Sequence, residues 1–238
     1  MVAAPALVLA SALHGCSSRS VADDAAADSA STVAGDAGAE AASDGATREA
    51  GDAGDGARIH DAGAVEPPFT GHKKVLHVGD STVGYASGLQ LEFKKMFPDA
   101  GVAYVSHTMT SAGLHTVAEE RIVEKLVKRH APDLVIVQLG TNNLTVPHPE
   151  VYLPDIKSIL AQVGKRACYW IGPIPLKFPE RGMRGILRDN VAPCVFYDSY
   201  DLTLERQSDG LHPSQKAAIM WSALFFDFAG KNPAPAPN

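Results

Sequence analysis

Between Lys73 and Gly230, short apolar runs alternate with stretches of helical period, and this alternation leaves very few architectures open to the chain. The runs are Lys73–Val78, Val102–Val105, Leu134–Val137, Ala167–Ile171 and Val195–Tyr197. Each is too short for a helix, and Leu134–Val137, bounded by Pro132 and Gly140, has the unbroken apolar character of a strand covered on both faces. Helical faces lie between them. Val83, Leu89, Phe93, Met96 and Phe97 form one, stopped by Pro98. Ile122, Val123, Leu126 and Val127 form another within a helix expected over Ala118–His130, whose acids Glu119, Glu120 and Glu124 come early and whose bases Lys125, Lys128 and Arg129 come late, as the helix dipole favours. Ile156, Ile159, Leu160 and Val163 follow Pro154 and end at Gly164, and Pro213–Phe228 closes the series before Gly230. Alternation of this kind builds a parallel sheet with right-handed crossovers and helices on both faces. The expected fold is therefore α/β, a three-layer α/β/α sandwich with about five strands. Strand order is not readable at this stage.

The rest of the 238 residues has a different composition. Ser17–Pro68 carries 11 acidic and 3 basic residues and almost no large apolar side chain, whereas Phe69–Asn238 carries 16 acidic and 18 basic. The acidity of the chain thus belongs to a segment that cannot bury enough surface to offset its ordering entropy. Residues 16–68 are read as a disordered Ala/Asp/Gly-rich tether, 69–230 as the folded domain and 231–238 as an equally unstructured Pro/Ala-rich tail. The near-neutral domain offers no basic stripe for nucleic acid. Residues 1–15 are apolar and uncharged, too short to span a bilayer, and run into Gly15-Cys16. They resemble a bacterial lipoprotein signal with Cys16 as the lipidated residue, although the basic start of such signals is missing. That resemblance implies an exported protein held to the cell envelope by a lipid anchor, at the outer membrane because Ser17 rather than Asp follows the cysteine.

Chemistry-bearing residues cluster where strands should end. Gly79-Asp80-Ser81-Thr82 follows the first run, and a serine at a strand's carboxyl end stands where open α/β sheets build their sites. A serine hydroxyl needs a base to take its proton, and the base needs an acid to hold its tautomer. His212 and Asp209 in Asp209-Gly210-Leu211-His212-Pro213 can supply both from a single turn. Donors for a developing oxyanion are the backbone N–H of Ser81, the backbone N–H of Gly113 and the side-chain amide of Asn142 in Gly140-Thr141-Asn142-Asn143. The bland alternatives are a helix cap at Asp80-Ser81 and ordinary turns at the other blocks; the joint order of the pieces is what favours the catalytic reading. Gly79 and Gly84 have phosphate-loop spacing, but Tyr85 and Ala86 stand where Lys and Ser/Thr are needed.

The pattern Gly79-Asp80-Ser81, Gly113, Gly140-x-Asn142 and Asp209-x-x-His212 resembles the SGNH (GDSL) hydrolase family across the whole domain. The resemblance implies a flavodoxin-like sheet and cofactor-free, metal-free ester hydrolysis through an acyl-serine. It implies Ser81 as nucleophile, Ser81, Gly113 and Asn142 as oxyanion donors, and Asp209 and His212 as acid and base. Asn143 departs from the Asp that many members carry at that position, which is usually structural.

The remaining features leave alternatives open. Cys168 and Cys194 open two strands and are either a disulfide, which export would permit, or two buried thiols. His107 and His115 flank the presumed oxyanion loop, and solvated loop histidines are the preferred reading. No H-E-x-x-H or C-x-x-C spacing suggests a metal. Lys177, Arg181, Arg184 and Arg188 lie in a loop or short helix over Pro173–Asn190, a solvated basic surface or a lid for anionic substrates. The expected function is a monomeric cell-envelope acyl or acetyl esterase acting on a small-molecule or glycan ester. A lysophospholipase or thioesterase of the same mechanism, or a catalytically silent envelope-binding lipoprotein, are the alternatives.

Overall fold

The computed structural model describes residues 68–84 and 88–235. The expected signal at 1–15, the lipidation site Cys16, the tether up to residue 67 and residues 236–238 lie outside the described residues. Five strands form one parallel sheet in the order β2-β1-β3-β4-β5: β1 Lys74–Gly79, β2 Ala103–Thr108, β3 Leu134–Gln138, β4 Ala167–Ile171 and β5 Val195–Tyr197. This is the flavodoxin-like order, in which the chain leaves β1 in one direction and returns to β3 on the other side, opening a crevice between their carboxyl ends. Register aligns those ends in a row, Thr108 beside Gly79, Gly79 beside Gln138, Gln138 beside Ile171 and Ile171 beside Tyr197.

Side chains alternate between two cores. Leu76, Val78, Val135, Val137, Cys168 and Trp170 point to one, covered by α3 (Leu114–Glu119), α4 (Ile122–His130), α5 (Leu153–Val163) and α6 (Met183–Asn190). Val75, Leu134, Ile136, Tyr169 and Ile171 point to the other, covered by α2 (Gln90–Asp99) and α7 (Gln215–Lys231). A one-turn helix α1, Ser81–Gly84, completes the set. The second core is rich in rings: Phe69 meets Phe97 at 4.7 Å and Phe226 at 4.9 Å between centroids. Among the described residues no helix is long and apolar enough to cross a membrane.

Three expectations change. The single helix expected over Ala118–His130 is two, broken where Arg121 takes a left-handed conformation at φ 51°. Gln162 of α5 bridges the break, donating to the Ala118 carbonyl at 3.0 Å, which also accepts the Arg121 N–H at 3.3 Å, and accepting from the Glu124 N–H at 3.4 Å. Pro98 lies in the last turn of α2 rather than beyond it, and the helix ends one residue later. The start of the tail is held: Tyr169 Oη donates to the Asn232 carbonyl at 3.0 Å and accepts from the Ala234 N–H at 2.9 Å. Cys168 and Cys194 are disulfide-bonded, with Cα atoms 4.6 Å apart. Register explains the pairing, because Tyr169 pairs with Val195 and the two cysteines stand one step earlier.

At Gly79 the neighbouring backbone approaches closely. A Cβ there would lie 2.1 Å from the Gln138 carbonyl oxygen and 2.8 Å from Val83 Cγ2, and the Gln138 backbone cannot yield without opening the β1–β3 pairing. Gly79→Ala is expected to lower unfolding free energy by about 1–3 kcal/mol or more. Urea denaturation checks this; an unchanged midpoint would contradict the close approach.

Candidate active site

Ser81 follows directly from that tight point. The Asp80 N–H continues the ladder to the Gln138 carbonyl at 3.2 Å, and the chain then turns into α1 with Ser81 as its first residue. Asp80 Oδ1 accepts the Thr82 N–H at 2.9 Å, so the buried carboxylate fastens the turn that presents the Ser81 side chain.

The acid–base turn arrives from the loop between β5 and α7. Ser81 Oγ is 2.9 Å from His212 Nε2, and His212 Nδ1 is 2.7 Å from Asp209 Oδ2. A carboxylate accepts only, so Nδ1 carries the hydrogen and Nε2 is left to accept the serine proton. The other oxygen of Asp209 accepts the N–H groups of Leu211 at 2.8 Å and His212 at 3.0 Å, a turn closed by Gly210 at φ +68°. Its contact with His212, then those two N–H groups, hold the Asp209 carboxyl down at about 2. One residue thus shapes the turn with one oxygen and holds the imidazole with the other.

The turn is strapped from outside. Gln207 N–H donates to the His212 carbonyl at 2.8 Å, and Ser214 N–H to the Glu205 carbonyl at 2.8 Å. The Arg206 guanidinium donates to the Leu211 carbonyl at 2.8 Å and to the Pro175 carbonyl, joining the turn to the loop after β4. Sequence reasoning passes over Arg206, since no pattern marks a cation that serves two backbone carbonyls.

Of the three oxyanion candidates, Ser81 and Asn142 leave β1 and β3 on either side of the crevice, and Gly113 follows β2. Asn142 is exposed at the rim and donates one amide hydrogen to the Ala112 carbonyl at 2.9 Å, which binds it to the Gly113 loop. Asn143 is buried, and its Oδ1 accepts the Leu114 N–H at 3.2 Å. Two consecutive asparagines therefore hold the two sides of Gly113. A Cβ on Gly113 would meet the Asn143 amide at 3.4 Å, an ordinary contact, so packing alone does not demand glycine there.

Other candidates lie elsewhere. His107 sits within β2, its pKa lowered by burial and by Arg129 and His130. His115 on α3 faces Asp155 at 3.3 Å and Glu119 at 3.5 Å. In the basic segment, Arg184 is committed to Asp198 at 2.8 Å and to Asp201, and Arg188 to Asp189 at 3.2 Å, which reduces its pull on anions. Among the described residues no group of three His, Cys, Asp or Glu side chains could hold a metal ion.

Two buried groups near the nucleophile oppose each other as pH changes. Burial pushes His77 from 6.5 down to about 3, so between these values the unfolded chain binds more protons, and His77 lowers stability as pH falls. Burial pushes Asp80 from 3.8 up to about 6, tempered by the Thr82 hydrogen bonds and His212; between these values the folded chain binds more protons, and Asp80 lowers stability as pH rises. Asp80 Oδ2 has no hydrogen bond of good geometry among the described residues; the Thr141 hydroxyl beside it only weakly favours the charged form. Asp80→Asn removes one of the two trends. Relative to wild type it is expected to gain up to about 3 kcal/mol at pH 7, shrinking to nothing near pH 4. Urea titrations at several pH values measure this, and a gain that does not vary with pH would contradict it.

No family model matches the chain. Protein BcsX of Komagataeibacter xylinus is 25% identical over a region covering 42% of this chain and 44% of that protein, so the chain spans less than half the length of this relative. Among solved structures, TesA has a TM-score of 0.53 at 16% identity, covering 68% of this chain and 99% of its own. A G-D-S-L family protein from Desulfitobacterium hafniense has a TM-score of 0.50 at 15% identity, covering 65% of this chain and 98% of its own. The fold is that of the SGNH (GDSL) hydrolases. A gut microbial diltiazem-metabolizing enzyme has a TM-score of 0.51 at 14% identity, covering 70% of this chain and 49% of its own. Where the G-D-S-L motif ends in Leu, this chain has Thr82, which is buried.

Proposed function

We propose that the protein is a serine hydrolase that cleaves carboxylic esters through an acyl-serine intermediate. The observation that carries this reading is the unbroken line from Ser81 Oγ through His212 to Asp209, with both hydrogen bonds under 3 Å. In this account His212 Nε2 takes the Ser81 proton as Oγ attacks the ester carbonyl, and the imidazolium is stabilised by Asp209. The oxyanion faces the Ser81 N–H, the Gly113 N–H and the Asn142 amide. His212 then protonates the leaving alcohol. Water, deprotonated by the same histidine, cleaves the acyl-serine and regenerates the hydroxyl.

The substrate class we favour is a short acyl, such as acetyl, ester of a hydroxyl-rich molecule. A groove of about 480 Å³ borders the acid–base turn at Gly210, with Lys177, Asp201 and Arg206 on its wall beside Leu176, Leu202 and Leu204. The charged and hydroxyl groups of this lining can hydrogen-bond a hydroxyl-rich alcohol, and the aliphatic ones can receive a short acyl group. The lipoprotein-like start of the sequence supports a cell-envelope location, with the substrate there or outside. Hydrolysis of p-nitrophenyl esters of increasing chain length, beside acetylated glycans, tests the class. Preference for acetyl supports it, and preference for long acyl chains would favour a lysophospholipase or thioesterase instead.

A further inference from the structure

Four buried or half-buried side chains outside the triad form one line of hydrogen bonds that ends on Asp80, the residue before the nucleophile. Tyr104 Oη is 2.8 Å from His77 Nδ1, and His77 Nε2 is 2.8 Å from Gln138 Oε1. Gln138 Nε2 is 2.7 Å from Thr82 Oγ1, and Thr82 Oγ1 is 2.6 Å from Asp80 Oδ1. The line crosses β2, β1 and β3 before it enters α1.

One placement of hydrogens satisfies every contact. An ionised Asp80 accepts, so the Thr82 hydroxyl donates to it and must itself accept from Gln138. The Gln138 amide oxygen then faces His77, whose Nε2 carries a hydrogen, and the bare Nδ1 accepts from the Tyr104 hydroxyl. The imidazole is neutral, as its full burial requires. All four bonds run in one sense, from the phenol towards the carboxylate, an arrangement in which each bond polarises the next.

An apolar set would fill this space at least as well. His77 and Gln138 share their face with Val75, Leu134 and Ile136, all fully buried. Buried polar groups cost free energy unless each is paired, and these run to a single destination. We propose that Tyr104, His77, Gln138 and Thr82 are positioning residues for the nucleophile turn: the line aims the Thr82 hydroxyl at Asp80, and Asp80 so held fixes the Ser81 N–H and Oγ and keeps a buried negative charge towards His212. This rests on the serine-hydrolase reading. Gln138 acts twice, because its carbonyl also holds the Asp80 N–H.

Thr82→Val keeps the volume and removes the hydroxyl, leaving Gln138 without its acceptor and Asp80 without one donor. On p-nitrophenyl acetate, kcat is expected to fall about 10- to 100-fold with KM within about two-fold, because a hydrogen bond to a charged group is lost at the reacting end only. Thr82→Ser, which restores the hydroxyl, is expected to recover most of kcat. A role confined to stability would instead lower the melting temperature and leave kcat intact in the folded fraction, and that result would overturn the proposal. The second measurement needs no activity: ¹⁵N NMR of the His77 ring in the wild-type protein at pH 7.5, where Asp80 is ionised. A neutral ring protonated at Nε2 is expected; a ring protonated at Nδ1, or charged, would overturn the proposal even if Thr82→Val fails to fold. If wild type hydrolyses no ester while His77 is neutral and Nε2-protonated, the hydrolase reading fails and the donor line stands.

Discussion

Ser81→Ala is expected to lower turnover of p-nitrophenyl acetate by about 10⁴-fold or more, and His212→Ala by a similar factor. The 2.9 Å contact between Ser81 Oγ and His212 Nε2 makes the two one functional unit: without the base the hydroxyl is a weak nucleophile, and without the hydroxyl the base has nothing to deprotonate. The double variant is therefore expected to be no slower than either single variant, within a factor of a few. Steady-state kinetics on the three proteins measure this. Losses that multiply would mean that the residues act separately. Neither change should unfold the domain, since Ser81 and His212 are only partly buried and sit at the rim rather than in either core.

Asp209→Asn isolates the role of the acid without disturbing the turn. Oδ1 already accepts the Leu211 and His212 N–H groups, so an asparagine keeps its oxygen there and places its NH₂ against His212 Nδ1. Two hydrogens cannot share that contact. Nδ1 must become the acceptor, the ring hydrogen moves to Nε2, and the nitrogen facing Ser81 can no longer take a proton. A loss of about 10³–10⁴-fold in kcat is expected, with the melting temperature nearly unchanged. Kinetics and a thermal scan on the same sample check both halves. Near-wild-type turnover would show that His212 does not depend on Asp209 for its tautomer.

The fold was legible in the sequence to the extent that burial dictates pattern. Leu134–Val137 and Ala167–Ile171 are covered on both faces, so their unbroken apolar runs marked strands, and Gly79, Gly140 and Gly210 marked turns at the rim. The break between α3 and α4 was not legible, because the side chain that bridges it is Gln162, a residue of another helix 38 positions beyond Glu124. The pairing of Cys168 with Cys194 needed the register of β4 against β5, which no local pattern carries. In the site, Ser81, Asp209 and His212 were legible because each lies in a short block with a distinctive turn, and the structure brings the three together. Asn143 was legible only as a structural position, which its bond from the Leu114 N–H fits; Arg206, Gln138 and His77 were not. For the last two a signal existed: a histidine and a glutamine in strands that otherwise ask for apolar side chains need buried partners, and those partners lie toward the nucleophile.

The central claim is that His212 activates Ser81 as a nucleophile. A phosphonate or organophosphate ester carrying a good leaving group reacts covalently with such a serine and with few other hydroxyls. Intact mass, followed by peptide mapping, after treatment of wild type, Ser81→Ala and His212→Ala tests the claim independently of the natural substrate. The account predicts one adduct per chain on the peptide containing Ser81, absent in Ser81→Ala and strongly slowed in His212→Ala. Equal labelling of all three proteins, or an unlabelled wild type, would contradict it.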